Sequence, residues 1–350
     1  MTIGSENDLV FVGSGNFQSI PAPQGKPSEE RRMSLAFIAC VERGYLEDEA
    51  KLLCRSIRRY AGCYRDAAIY TFQPRPGMEV SDDTVSALHE LGVTHVTEPL
   101  NTRFDDYAIG NKIFTCAWAE EHLTEDILVF LDSDTVIVSE PGDLILAQEF
   151  DAAVRPCNRW EGGISSTGPG DANEAYWRRV YHTCRQTAEP FVETVVDRRQ
   201  VRAYFSAGII AVRRRAGLWA EWKRHFERLM EEGLVPDDKR RLRQMDEISL
   251  AMTLSRNFER VRILDGRYNY LIYRRSELCS PYRETQLEDL VHIHYISKFS
   301  VPGYLRQVQP PLNPSSEILE WLEQYIPFPA GHHSSTRSWL TEGQAAGLNK

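Results

Sequence analysis

Ile127-Leu128-Val129-Phe130-Leu131-Asp132-Ser133-Asp134 sets five apolar residues in a row against two carboxylates. Such a run, with no polar alternation, reads as a strand buried on both faces, as in a parallel sheet. The carboxylates come where the strand leaves the core. Unpaired anions beside a core are costly, so they need a partner. A hard divalent cation carrying phosphate is the usual one. Ligands of open α/β sheets gather at the carboxyl ends of the strands. The stretch therefore predicts a metal site at the mouth of an α/β sheet.

Working towards the N-terminus, apolar strands read over 34–41, 67–72 and 93–96. Helical spacing reads over 45–60, with Leu46, Ala50, Leu53 and Ile57 on one face, and over 107–122. A third helix reads over 80–91, with Ser81 as cap and Gly92 as stop. The alternation predicts a parallel sheet with helices on both faces. Towards the C-terminus, strands are expected over 151–154, 203–212, 261–264 and 290–295, and helices over 218–232 and 245–255. Residues 158–171 are rich in Gly and Ser and read as a loop, a candidate lid over the site. The expected organisation is a leader over 1–32, one domain over 33–328 and a tail over 329–350.

The formal net charge of −9 argues against a general nucleic-acid binder. Local basic runs, Arg198-Arg199, Arg213-Arg214-Arg215 and Lys239-Arg240-Arg241, read as solvated faces or as contacts to phosphate or an acidic membrane surface. Seven cysteines lie scattered without CxxC pairs, which fits reduced thiols and a cytoplasmic location. Met1 to Asp8 lacks the basic-then-apolar pattern of an export signal. No apolar run approaches the roughly 20 residues of a membrane helix, leaving peripheral membrane contact as the one membrane association expected.

Asp132 and Asp134, two apart on an extended segment, point the same way and can share one cation. Thr135-Val136-Ile137-Val138 follows at once, which is unlike a polar surface turn. His292 and His294 alternate on Val291-His292-Ile293-His294-Tyr295, so they share a face, and Lys298 follows. Read alone, these would be structural histidines and a surface lysine. Beside a carboxylate pair, a histidine supplies a third ligand and the lysine a point charge for phosphate. Together they suggest a reaction whose leaving group is a nucleoside diphosphate.

In ordered co-occurrence, the segments resemble GT-A nucleotide-sugar glycosyltransferases, most closely the retaining family 8 of glycogenin and related galactosyltransferases. The resemblance spans Ser34 to Phe299. Ala39-Cys40-Val41 through Tyr45 resembles the nucleoside-binding start, where an aromatic ring stacks on the base. Lys112 resembles the donor-contacting basic residue, and Leu131-Asp132-Ser133-Asp134 the metal-binding DxD motif. Tyr204-Phe205-Ser206-Ala207-Gly208-Ile209-Ile210 resembles the strand that lines the donor sugar, and Asp246-Glu247 the Asp-Gln motif. Leu264 to Asn269 resembles the Leu-Pro-x-x-Tyr-Asn segment, and His292 to Phe299 the His-x-x-Gly-x-x-Lys-Pro-Trp ending. Ser206 replaces the family's Asn, Glu247 its Gln and Phe299 its Pro, and the last motif's glycine is missing.

The resemblance implies a GT-A (Rossmann-like) α/β fold and a Mn2+ (or Mg2+) ion held by Asp132, Asp134 and a histidine. Spacing to Lys298 makes that histidine His292; the apolar-His-aromatic flanks make it His294, the preferred reading. It further implies a UDP-sugar donor and a carbohydrate, protein or small-molecule hydroxyl acceptor, with retention at the transferred carbon. Donor contacts would come from Ala39, Cys40, Val41, Tyr45, Lys112, Ser133, Ser206, Ala207, Gly208 and Lys298. Asp246, Glu247 and Lys112 would carry catalysis. Two rivals stand beside this reading. Leu131-Asp132-Ser133-Asp134-Thr135-Val136 also fits the nucleophile motif of a haloacid-dehalogenase-type phosphohydrolase, although that motif belongs on a first strand. The substituted Asn and Gln positions would also suit a non-catalytic, glycosyltransferase-like carbohydrate-binding protein. Candidate sugar-stacking aromatics are Trp160, Trp177, Tyr181 and Tyr273. Oligomeric state is not readable.

Overall fold

A computed structural model describes residues 33–158, 164–235 and 243–329. The expected leader, the tail beyond 329, residues 159–163 of the candidate lid with Trp160, and the basic run Lys239-Arg240-Arg241 lie outside these residues.

The central strand forms as its composition demands. β4 (Ile127–Leu131) has every side chain buried, and each such burial contributes about 1.5–3 kcal/mol. It is flanked by β1 (Leu35–Cys40) and β9 (Phe205–Arg213). Outward from β1 come β2 (Ala68–Phe72) and β3 (Val93–Val96), all parallel. Outward from β9 come β6 (Ala152–Pro156) and β10 (Val261–Ile263). β9 runs antiparallel to both neighbours, so the seven-stranded sheet is mixed but mostly parallel. The strong strand expected at 203–212 thus enters against the grain of the sheet.

The two-residue period of β1 assigns the layers. Leu35, Phe37 and Ala39 pack with Ala50, Leu53 and Ile57 of α1 (Tyr45–Tyr60) and Leu88 of α2 (Asp82–Glu90). Ala36 and Ile38 join the opposite core, made by α3 (Asn111–His122), α5 (Leu218–Glu231) and α6 (Met245–Ser255). α4 (Glu174–Thr183) completes that layer with Trp177 and Val180. Ser81 caps α2 as expected, its Oγ accepting from Thr84 N at 3.3 Å.

Three expectations change. The helix expected from Tyr107 begins at Asn111, after a 3-10 turn over Ala108–Gly110. Asn101 holds this entry, donating from Nδ2 to Phe104 O at 3.0 Å and to Asn111 Oδ1 at 2.8 Å. Arg213 is no surface charge: it is buried and donates to the carbonyls of Leu146, Ala147 and Phe150. Trp177 and Tyr181 are core residues, not exposed sugar platforms.

A second sheet positions the late histidines. β5 (Thr135–Ile137) leaves the Asp-Ser-Asp turn and pairs antiparallel with β12 (His292–His294), which also pairs with β11 (Tyr270–Leu271). Among the described residues, no helix is long and apolar enough to cross a membrane.

Candidate functional site

The register between β5 and β12 sets His294 opposite Thr135, one residue past Asp134. Tyr295 N donates to Asp134 O at 3.1 Å, extending the ladder onto the turn. Asp134 Oδ1 and His294 Nε2 then stand 3.1 Å apart. Asp132, Asp134 and His294 each offer a ligand atom, and these atoms lie within 4.8 Å of one another. Burial would raise Asp134, but the His294 charge and hydrogen bond, with Lys112, together hold the carboxyl below its ordinary value. Burial likewise opposes the His294 charge, and Asp134 prevails to raise it.

His292 lies elsewhere. It is fully buried, and its Nδ1 accepts from Asn269 N at 3.1 Å. Burial, then the nearby His294 charge, push it down to about 3, so it is neutral. Of the two histidines, His294 is the one brought to the carboxylates.

Asn269 orients that ring. Its Nδ2 donates to Ser206 Oγ at 2.8 Å, and its Oδ1 lies 3.0 Å from His294 Nδ1. With the amide nitrogen given to Ser206, Oδ1 accepts from Nδ1–H, and Nε2 faces the carboxylates. Gly208 makes the approach feasible: a Cβ there would meet Asn269 Oδ1 at 2.8 Å and His294 Nδ1 at 3.1 Å. The turn is fixed too. Asp132 N donates to Gly208 O at 3.1 Å, Thr135 Oγ1 to Asp132 O at 2.6 Å, and Ser133 Oγ to Cys40 O.

Lys112, on the first turn of α3, joins two acids. Its Nζ is 2.8 Å from Asp132 Oδ1 and 3.2 Å from Asp246 Oδ2. Burial works against the ammonium, yet the two carboxylates hold its pKa well above the ordinary lysine value. Asp246 is buried on α6, which Trp222 anchors by donating from Nε1 to Asp246 O at 3.0 Å. Burial raises the Asp246 carboxyl against the pull of Lys112, and its Oδ1 has no hydrogen-bond partner. Glu247 accepts from Tyr204 Oη at 2.6 Å. Burial, then Asp246, push Glu247 up to about 8.

Of these groups, Lys112, Asp132 and Asp134 line a cleft of about 270 Å³, together with Cys40, Tyr45 and Ser133 among others. Ala39 and Val41 are core residues, so Cys40 and Tyr45 represent the first loop in the cleft. Ser206, Ala207 and Gly208 lie beside it: Ala207 O is 3.5 Å from Lys112 Nζ. Lys298 sits in the 3-10 segment Ile296–Ser300, and among the described residues it pairs with neither Asp132 nor Asp134.

Sequence reasoning passed over the cleft's far wall. Glu42, 1% exposed, receives Arg75 in a forked pair (2.6 and 3.0 Å) and Asn111 Nδ2 at 3.0 Å. Glu49 is buried at the same cleft, its Oε2 without a partner. Burial, then Asp134 and Asp132, raise it well above the ordinary glutamate value. An acid two positions past β1 and a lone acid on the apolar face of α1 were the available signals. Asn269 was quoted only as part of a segment.

A family model for the Rhodobacterales glycosyltransferase domain matches residues 37–257, from β1 through α6. The chain belongs to that family. The matched stretch holds Lys112, Asp132, Asp134, Gly208, Asp246 and Glu247; Asn269 and His294 fall beyond it. Membership of a glycosyltransferase domain family makes the chain a glycosyltransferase and sets aside the phosphohydrolase reading. Among solved structures it is similar to the apo form of WbbM, a bifunctional glycosyltransferase, at 17% identity and a TM-score of 0.46. That likeness covers 75% of this chain and 46% of the other, so the chain spans less than half that protein's length. No curated protein matches the chain.

Proposed function

We propose that this glycosyltransferase takes its sugar from a nucleoside diphosphate, with uridine as base, and passes it to an acceptor hydroxyl with retention, as in family 8. The carrying observation is the meeting of Asp132, Asp134 and His294, the two carboxylates lining the cleft, with Lys112 beside them. Two carboxylates and one imidazole suit a hard or borderline divalent cation, Mn2+ or Mg2+. His294 Nε2, turned inward by Asn269, fits the same role. Bound there, such an ion would neutralise charge on a departing diphosphate.

The chain's own residues supply the rest. Lys112 is a fixed cation beside the leaving group and pairs with both Asp132 and Asp246. Asp246 Oδ1, buried and unpartnered, is an acceptor left for a hydroxyl of the transferred sugar. Glu247, neutral near pH 7 and aligned by Tyr204, donates a hydrogen bond on the same side. The ring of Tyr45 and the Glu42–Arg75 pair form the wall for the nucleoside. Unbridged cysteines support a reducing, cytoplasmic setting.

The test is calorimetry with UDP and UDP-sugars, with and without Mn2+, on the wild type and on Asp132→Asn and Asp134→Asn. Metal-dependent UDP binding that both variants lose is expected. Equal binding without metal, or none, would overturn the reading. Proton NMR of the first-formed anomer decides retention.

A further inference from the structure

Arg155, near the end of β6, has no exposed surface (0%). Its Nη1 donates to Asn158 Oδ1 at 2.5 Å, and among the described residues its Nε has no hydrogen-bond partner. Among the described residues, the main charges that reach it are those of Cys157, Tyr273 and Tyr282, none of them a carboxyl. Other buried arginines are better provided. Arg202 meets Glu174 at 2.5 Å. Arg275 donates to Pro310 O, Thr285 O and Tyr270 Oη. A buried guanidinium with one neutral acceptor among the described residues is under-satisfied, and such groups concentrate where a ligand completes them.

Its place gives that shortfall a use. A bulge between Val154 and Arg155 shifts the register, setting Arg155 opposite Ser206. Ser206 Oγ is the group that fixes Asn269, which in turn holds His294. Tyr273, half-buried, feels the charges of both Asp134 and Arg155. Among the described residues, this cation thus has Ser206, Tyr273 and Tyr282 as its neighbours, on the side of the sheet where Ser206 and Asn269 hold His294.

We propose that Arg155 recognises a carboxylate carried by a sugar substrate, either the transferred sugar or the acceptor. This rests on the glycosyl-transfer reading of the neighbouring site. One planar fork with phenol hydroxyls nearby matches a singly charged, planar carboxylate, whereas a phosphate dianion calls for more than one cation. Asn158 Oδ1 is the neutral stand-in that the carboxylate displaces.

The test measures binding of acid and neutral twins by calorimetry. UDP-glucuronate against UDP-glucose, with Mn2+, examines the transferred sugar. Free glucuronate against glucose, with and without UDP and Mn2+, examines the acceptor. In the wild type the acid of one pair is expected to bind roughly tenfold or more tightly. Arg155→Met is expected to erase that preference while melting no lower than the wild type, because it removes an under-satisfied buried charge. Arg155→Lys keeps the charge without the fork and retains part of the preference, and it decides the matter should Arg155→Met fail to fold. No preference in either wild-type pair, or a preference that survives both variants, overturns the proposal. UDP with Mn2+ is the separate control. Loss of its binding overturns the proposed function alone if glucuronate is still preferred through Arg155.

Discussion

Asn269 Oδ1 stands 3.0 Å from His294 Nδ1, and the backbone at Asn269 takes the left-handed φ of 46°. Few side chains accept that conformation, and asparagine is among them. The residue thus meets a backbone demand and a side-chain demand at once.

Removing the amide should loosen the imidazole without unfolding the domain. Asn269→Ala is expected to weaken Mn2+ binding roughly 10–100-fold, the usual cost of losing a group that orients a ligand. Asn269→Asp keeps an acceptor for Nδ1–H and should recover most of the affinity. Titration of Mn2+ followed by electron paramagnetic resonance reads both. Unchanged affinity in Asn269→Ala would remove the positioning role.

Gly208→Ala tests the same contact from the other side. The added methyl falls 2.8 Å from Asn269 Oδ1 and 3.1 Å from His294 Nδ1. Overpacking of this kind costs about 1–3 kcal/mol. Because both changes act on one contact, Gly208→Ala and Asn269→Ala should be non-additive in Mn2+ affinity, the double variant little worse than either single. Full additivity would show that the methyl acts elsewhere.

The apolar runs carried most of the fold. β4, β1 and α1 were legible because burial on both faces, or on a helical stripe, leaves a pattern in the chain itself. The antiparallel entry of β9 was not, since strand direction leaves no mark on composition. The candidate site divides the same way. Asp132 and Asp134 stood out as anions ending an apolar strand. The choice between His292 and His294 needed the β5–β12 register, a pairing across 159 positions (His294 against Thr135). Arg155 gave no signal, because a missing partner shows only in three dimensions.

Lys112 sits between Asp132 and Asp246, so its loss leaves two carboxylates facing each other with little water. Lys112→Met is expected to destabilise the protein by about 3–5 kcal/mol, as for one partner removed from a buried ion pair. Asp246→Asn in the Lys112→Met background should recover part of that loss by removing one stranded charge. Urea denaturation of the four proteins gives the cycle. A Lys112→Met protein as stable as the wild type would mean that the triad is hydrated and loosely held.

Glu247 makes stability depend on pH in a stated direction. Burial, then Asp246, push its carboxyl from 4.5 up to about 8. The native state therefore holds this proton more tightly than the unfolded chain does. The contribution is fully present below the unfolded value and is lost as pH rises through the native one. Glu247→Gln keeps an acceptor for Tyr204 Oη and cannot ionise. The wild type should lose stability between roughly pH 5 and pH 9, and Glu247→Gln should lose less, becoming the more stable of the two at the alkaline end. Midpoints of urea unfolding across that range read the difference. Parallel curves would mean that Glu247 is ionised in the native protein at neutral pH, and the hydrogen-bond donor assigned to it would have to come from Tyr204 instead.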